Sequence, residues 1–237
     1  MDFFYEITVE STFYLWGSLL LLPLWIYSFV NHKGCRKEMI ICGTLFGFAA
    51  ILIAHNYAIH DYWSPPYIFN NVFYLEDFIY GFLFGGIAAE IFEITFGFKE
   101  TKQNKKKKTF LLPIFLAITV LSFFLFVNLL GWNSIVAHIV PPLIIGLFCI
   151  FLRRDFLLPT ILSGIIMLVI TFLWQSLILV IYPNAIIDFW MIENLSGIFI
   201  NGIPIEELIF AFALGFGASC FYELVMGYEY VKKTRSC

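Results

Sequence analysis

The chain has 237 residues, of which 61% are hydrophobic and 20% aromatic, while only 13% are charged. A soluble domain is nearer half apolar and a quarter charged, so this composition excludes an ordinary soluble globule and points to an integral membrane protein. The net charge of −3 is small, and the run Lys105 to Lys108 reads as a loop near anionic lipid, not as a nucleic-acid surface.

A membrane span needs roughly 20 mostly apolar residues. Seven segments meet that need: Ser11–Val30, Met39–Tyr57, Val72–Gly97, Phe110–Leu129, Ser134–Leu152, Phe156–Tyr182 and Ile203–Met226. The first is flanked by Asp2, Glu6 and Glu10, where a signal peptide would be basic, so it is expected to be a retained helix. All 14 Lys and Arg fall into four short segments: Lys33, Arg36 and Lys37; Lys99, Lys102 and Lys105 to Lys108; Arg153 and Arg154; Lys232, Lys233 and Arg235. These follow helices one, three, five and seven. A seven-helix count therefore puts every basic residue on one face, and the expected topology is N-terminus outside, C-terminus cytoplasmic. Cys35, Cys149, Cys220 and Cys237 lie toward that reducing side, and the five cysteines are assigned neither a disulfide nor a metal.

Helix two rises to His55, Asn56 and Tyr57, and an outer loop with Trp63, Pro65, Pro66 and Tyr67 follows. Helix three carries Glu76 and Asp77 about one turn in. Helix four has no charge and reads as a connector. Helix five includes His138 and Pro141-Pro142, and helix six holds Trp174 and Gln175. A longer outer loop with Trp190 leads to helix seven, where Pro204 at the first helical position suits a helix start and Glu206 and Glu207 stand in the first turn.

Part of this text occurs twice. Tyr74-Leu75-Glu76-Asp77-Phe78-Ile79-Tyr80 aligns with Pro204-Ile205-Glu206-Glu207-Leu208-Ile209-Phe210, and Gly85, Glu93 and Gly97 align with Gly215, Glu223 and Gly227. Pro23 aligns with Pro142 and Arg36 with Arg154. The expected architecture is an all-α integral membrane protein of seven transmembrane helices. It comprises two parallel three-helix repeats joined by a connector helix: residues 1–98, then the basic loop and helix four in 99–133, then 134–237 with a basic tail. Parallel repeats relate by an axis along the membrane normal and place sites at their interface. Helices three and seven are expected to meet there, with Gly81-x-x-x-Gly85 and Ala211-x-x-x-Gly215 as close-packing motifs.

Glu76, Asp77, Glu206 and Glu207 are the candidate catalytic residues. Acids at a helix start also suit the positive end of the helix dipole. A carboxylate pair in two matching apolar helices, however, is a costly arrangement that defaults to function. Converging acids cannot all ionise in a dry site, which leaves a carboxylic acid beside a carboxylate, as acid/base chemistry on an apolar substrate requires. Glu90, Glu93 and Glu223 lie lower and read as structural. His55 and His138 lack metal-ligand spacing, so no metal is expected. Trp63, Tyr74, Phe78, Phe82, Trp174, Phe210 and Phe212 are the candidates to line an apolar substrate cavity. No dinucleotide-binding or phosphate loop and no Asp-x-x-Asp cluster occurs, so no cofactor is expected.

The paired acids, the Trp/Pro/Tyr loops and the duplication resemble the lycopene cyclase domain family of small membrane proteins. Ile203-Pro204-Ile205-Glu206-Glu207-Leu208 is similar to the family's Pro-x-Glu-Glu motif, whereas the first copy has Tyr74 for the proline and Asp77 for the second glutamate. The resemblance implies acid-catalysed cyclisation of the ends of lycopene to β-ionone rings without net redox change. An acid protonates the terminal double bond, the neighbouring alkene attacks the cation, and a base removes a ring proton. It also implies a polyene taken from the bilayer, contact with membrane lipid and other carotenoid enzymes, and a cell-membrane location. Two other readings stay open: a non-catalytic carotenoid- or lipid-binding subunit of a carotenoid pathway complex, and a small proton-coupled transporter. The residues leave the assignment of acid and base open.

Overall fold

The computed structural model describes residues 8–68, 74–102 and 107–232, with backbone alone for 98–102 and 230–232. The expected start of helix three at Val72 lies outside the described residues, as do Asp2, Glu6, Lys105, Lys106, Lys233, Arg235 and Cys237. Among the described residues, seven helices are long and apolar enough to cross a membrane. They are α1 (Phe13–Asn31), α2 (Arg36–Asp61), α3 (Leu75–Phe96), α4 (Leu111–Leu129), α5 (Ser134–Leu152), α6 (Arg154–Ile181) and α7 (Ile205–Met226).

Their local features follow from sequence. α1 breaks after Leu19 and restarts at Leu22 with Pro23 in the new first turn, where its missing N–H costs nothing. α2 loosens into a π-helical turn over Ala54–Ala58 near the acidic end of the bundle. α3 and α7 both stop at a glycine in the left-handed region, Gly97 and Gly227. Their N–H groups return to the carbonyls of Glu93 and Glu223 respectively. α5 is started twice over. The Asn133 side chain accepts from Ile135 N–H at 2.9 Å, and Asp61, from the other half of the chain, accepts from Ser134 N–H at 2.7 Å.

Two small ladders join the helical frame. β1 (Phe98–Lys102) pairs antiparallel with β4 (Tyr228–Lys232) at the basic end. β2 (Phe199–Ile200) pairs with β3 (Ile203–Pro204) across Asn201-Gly202, both at positive φ, which is the Asn-Gly type I′ hairpin signature. That hairpin corrects the expectation for Pro204. It lies in β3 with extended backbone, and the helix begins one residue later at Ile205. At the matching place before α3, Tyr74 takes φ 45°, an uncommon conformation for a bulky residue.

The centre of the bundle is α3 and α7. Their spans are 67% and 78% buried, against 17% for α4, which is therefore peripheral. Leu83, Phe84, Ile87, Ala88 and Ile91 of α3 meet Ala211, Leu214 and Ala218 of α7 in one core. The glycine motifs serve a different contact from the one expected. A Cβ on Gly81 would stand 2.6 Å from the Phe46 carbonyl oxygen of α2, and one on Gly85 2.4 Å from the Phe46 Cβ. On the other side, a Cβ on Gly215 would stand 2.6 Å from the Ser163 carbonyl oxygen of α6. These glycines bring each central helix against its own neighbour, α3 on α2 and α7 on α6. The α3–α7 seam is filled by larger side chains.

The acidic ends are tied across the halves. Trp63 and Trp190 form an antiparallel bridge. Ser64 N–H donates to Phe189 C=O and Met191 N–H to Tyr62 C=O, both at 2.8 Å.

Candidate active site

A cavity, partly open to the surroundings, lies among α1, α2, α3, α5, α6 and α7, and α4 adds Thr119 and Phe123 to its wall. Its lining is aliphatic and aromatic apart from a few polar groups. Two carboxylates reach it: Asp77 from the first turn of α3 and Glu207 from the first turn of α7.

The four acids therefore do not converge. Adjacent helical residues differ by about 100° in direction, and the pairs split accordingly. Glu76 and Glu206 turn away from the cavity and hold the preceding loops. Glu76 Oε1 accepts from Ile68 N–H at 2.9 Å, and Glu206 Oε1 accepts from Ser196 N–H at 2.7 Å. All four are at most 6% exposed.

The two inward acids are held by different chemistry. Tyr14 Oη donates to Asp77 Oδ1 at 2.7 Å, and Tyr67 Oη donates to Asp77 Oδ2 at 3.1 Å. Tyr67 stands outside the spans. Its phenol is pushed well above the ordinary range, first by burial and then by the neighbouring Asp77 carboxylate, so it remains a proton donor. Glu207 meets nitrogen donors instead. Gln175 Nε2 donates to its Oε2 at 2.9 Å and Trp190 Nε1 to its Oε1 at 2.8 Å. The Trp190 N–H also reaches Tyr62 Oη at 3.1 Å.

Aromatic rings connect the two acids. Tyr14 packs edge-on to Trp63 at 4.6 Å between ring centres, and Trp63 lies 5.1 Å from Trp190. Beneath them Tyr80 stacks on Trp174 at 5.9 Å and on Phe84 at 5.3 Å, and Phe84 faces Phe210 at 6.3 Å. Aromatic faces directed at one space stabilise positive charge there.

Of the expected lining residues, Trp63, Trp174 and Phe210 border the cavity. Phe78, Phe82 and Phe212 do not. Phe78 packs at Gly47, Phe82 at Gly43 and Phe212 at Gly164, between neighbouring helices. Tyr74 lies against the His55 ring at 4.4 Å, outside the cavity. His138 borders it, with Nδ1 2.8 Å from the Ser134 carbonyl oxygen. Among the described residues no group of three or more His, Cys, Asp or Glu is arranged to hold a metal. Tyr14 is the residue that sequence reasoning missed. Tyr67, Gln175 and Trp190 were visible only as loop or helix residues, although a glutamine inside an apolar helix was a usable signal.

The site is thus a partly open, mostly apolar chamber among membrane-length helices. It carries one hydrogen-bonded carboxyl group from each half of the chain and a wall of aromatic rings. That arrangement sets two carboxyl groups against one mostly apolar space. Residues 133–225 match the family model described as lycopene cyclase. The matched stretch contains α5, α6, Trp190, both acids of α7 and nearly all of that helix. No curated protein and no solved structure matches the chain.

Proposed function

We propose that the protein is a carotenoid cyclase that closes the ends of lycopene to β-ionone rings without net electron transfer. The observation that carries this reading is the pair Asp77 and Glu207, two carboxyl groups in one aromatic-lined cavity. The reaction needs one acid to protonate the terminal double bond and one base to take a ring proton once the new carbon–carbon bond has formed. The proton added to one carbon is balanced by the proton lost from another, so no oxidant or reductant enters. Aromatic faces around the cavity stabilise the intermediate cation.

Both carboxyl groups accept two side-chain hydrogen bonds, Asp77 from Tyr14 and Tyr67 and Glu207 from Gln175 and Trp190, and together they supply the acid and the base. We read the chain as two parallel repeats in the membrane, with the N-terminus outside and the C-terminus cytoplasmic. The matched loop-holding bonds of Glu76 and Glu206 support the repeats, and the segregation of basic residues supports the orientation. The polyene comes from the bilayer.

Pigment analysis of lycopene-accumulating cells tests the reading. Cyclised carotene from the wild type, and none from Glu207→Gln or Asp77→Asn at equal protein level, is the expected result. Lycopene unchanged by the folded wild type would leave a binding role and sink the enzyme.

A further inference from the structure

The cavity is not equally deep on its two sides. Along α1 it is bordered from Phe13 to Ser18 and along α6 from Trp174 to Ile178, a depth of about 6–8 Å at about 1.5 Å per residue. Along α2 it is bordered from Ala58 to Phe46, twelve residues and about 18 Å. On the shallow side α1 and α6 close directly on each other. Trp174 Nε1 donates to Gly17 C=O at 2.8 Å, and a Cβ on Gly17 would lie 3.7 Å from Ile178. On the deep side α2 presents Ala49, Ala50, Ala54 and Ala58 to the space along with Phe46 and Ile53, and Gly81 and Gly85 of α3 add no side chain. There α4 lies over the seam. Phe123 stands 5.0 Å from the Tyr57 ring of α2 and 4.7 Å from the His138 ring of α5. The Thr119 hydroxyl, which also borders the arm, is engaged at 3.0 Å with its own helix at Phe115 C=O, so it makes no polar demand on an occupant.

We propose that this arm beneath α4 is a binding subsite for the stretch of a linear polyene next to the end held at Asp77 and Glu207, with Phe46 and Ala49 toward its far end and Thr119 and Phe123 as its outer wall. The inference rests on the cyclase reading for the identity of the ligand, not for the shape of the site. A long apolar chain is the ligand that matches an arm walled by alanine methyls together with Phe46, Ile53 and Phe123. It also gives α4 a task beyond joining the halves.

The test fills the arm. Wild type, Ala49→Leu and Thr119→Phe are purified in lipid nanodiscs and titrated with lycopene and with an acyclic C10 polyene hydrocarbon. Quenching of tryptophan fluorescence is read, since Trp63, Trp174 and Trp190 border the chamber. The expected result is a loss of lycopene affinity of about tenfold in both variants, with C10 affinity unchanged. Equal affinity for lycopene in wild type and variants overturns the proposal, and so does equal loss of both ligands. Thr119→Phe lies on the least buried span, so its result does not depend on repacking the core. Pigment analysis of cells expressing the wild type separates the two ideas. Length-selective binding without cyclised product sinks the enzyme and keeps the arm. Cyclised product without length-selective loss does the reverse.

Discussion

At the scale of residues, adjacency in sequence separates function. Asp77 and Glu207 border the cavity, whereas Glu76 and Glu206 hold loop amides. On the cyclase reading, replacing the carboxyl group of either of the first two by an amide is expected to abolish cyclisation. Glu76→Gln and Glu206→Gln, which keep an acceptor oxygen for the loop N–H, should retain measurable product. Equal loss in all four variants would contradict this division. Trp190→Phe and Tyr14→Phe each delete one hydrogen bond to a carboxyl group. Such bonds are worth about 1.5–3 kcal/mol. Initial rates of ring formation in membranes should fall about 10- to 100-fold, with the protein still inserted. Unchanged rates would remove these residues from the site.

At the scale of elements, the glycines decide how close the helices approach. A Cβ at Gly215 meets backbone oxygen at 2.6 Å, so neither partner yields cheaply, whereas a Cβ at Gly34 meets nothing within 4 Å. Gly215→Val should lower the thermal midpoint in detergent by an overpacking cost of about 1–3 kcal/mol. Gly34→Ala should leave it unchanged. The same complementarity appears with sizes exchanged. Gly86 of α3 receives Trp25 of α1, while Phe216 of α7 fills the space at Gly146 of α5. One pair has the large residue on the outer helix and the other has it on the central helix. This is why a residue-by-residue comparison of the halves shows little likeness there although the volumes balance.

At the scale of the whole molecule, the acidic ends are joined by the Trp63–Trp190 bridge and the basic ends by the β1–β4 ladder. Arg153 Nη1 donates to Tyr228 C=O at 2.6 Å, and Arg36 Nε donates to Phe29 C=O at 2.6 Å, capping the end of α1. The orientation reading makes a direct prediction. Glu193→Cys in intact cells should react with a membrane-impermeant maleimide, and Lys107→Cys should react only after the membrane is opened. Both positions are exposed, so the reverse pattern would invert the topology.

Sequence alone determined the seven apolar helices, because span length and the clustering of Lys and Arg depend on local composition, and it singled out the two acidic pairs. The small hairpin before α7 is also written locally, in Asn201-Gly202. What only the tertiary structure decided was the direction of each acid and the identity of its partners. Tyr14 is 63 residues from Asp77 and Gln175 is 32 from Glu207, separations for which helical periodicity carries no information. The glycine motifs likewise announced close packing without naming the partner helix. The unequal depth of the cavity depends on Trp174 closing one seam and alanines leaving the other open, a difference of volume that exists only once α1, α2, α5 and α6 stand around the same space.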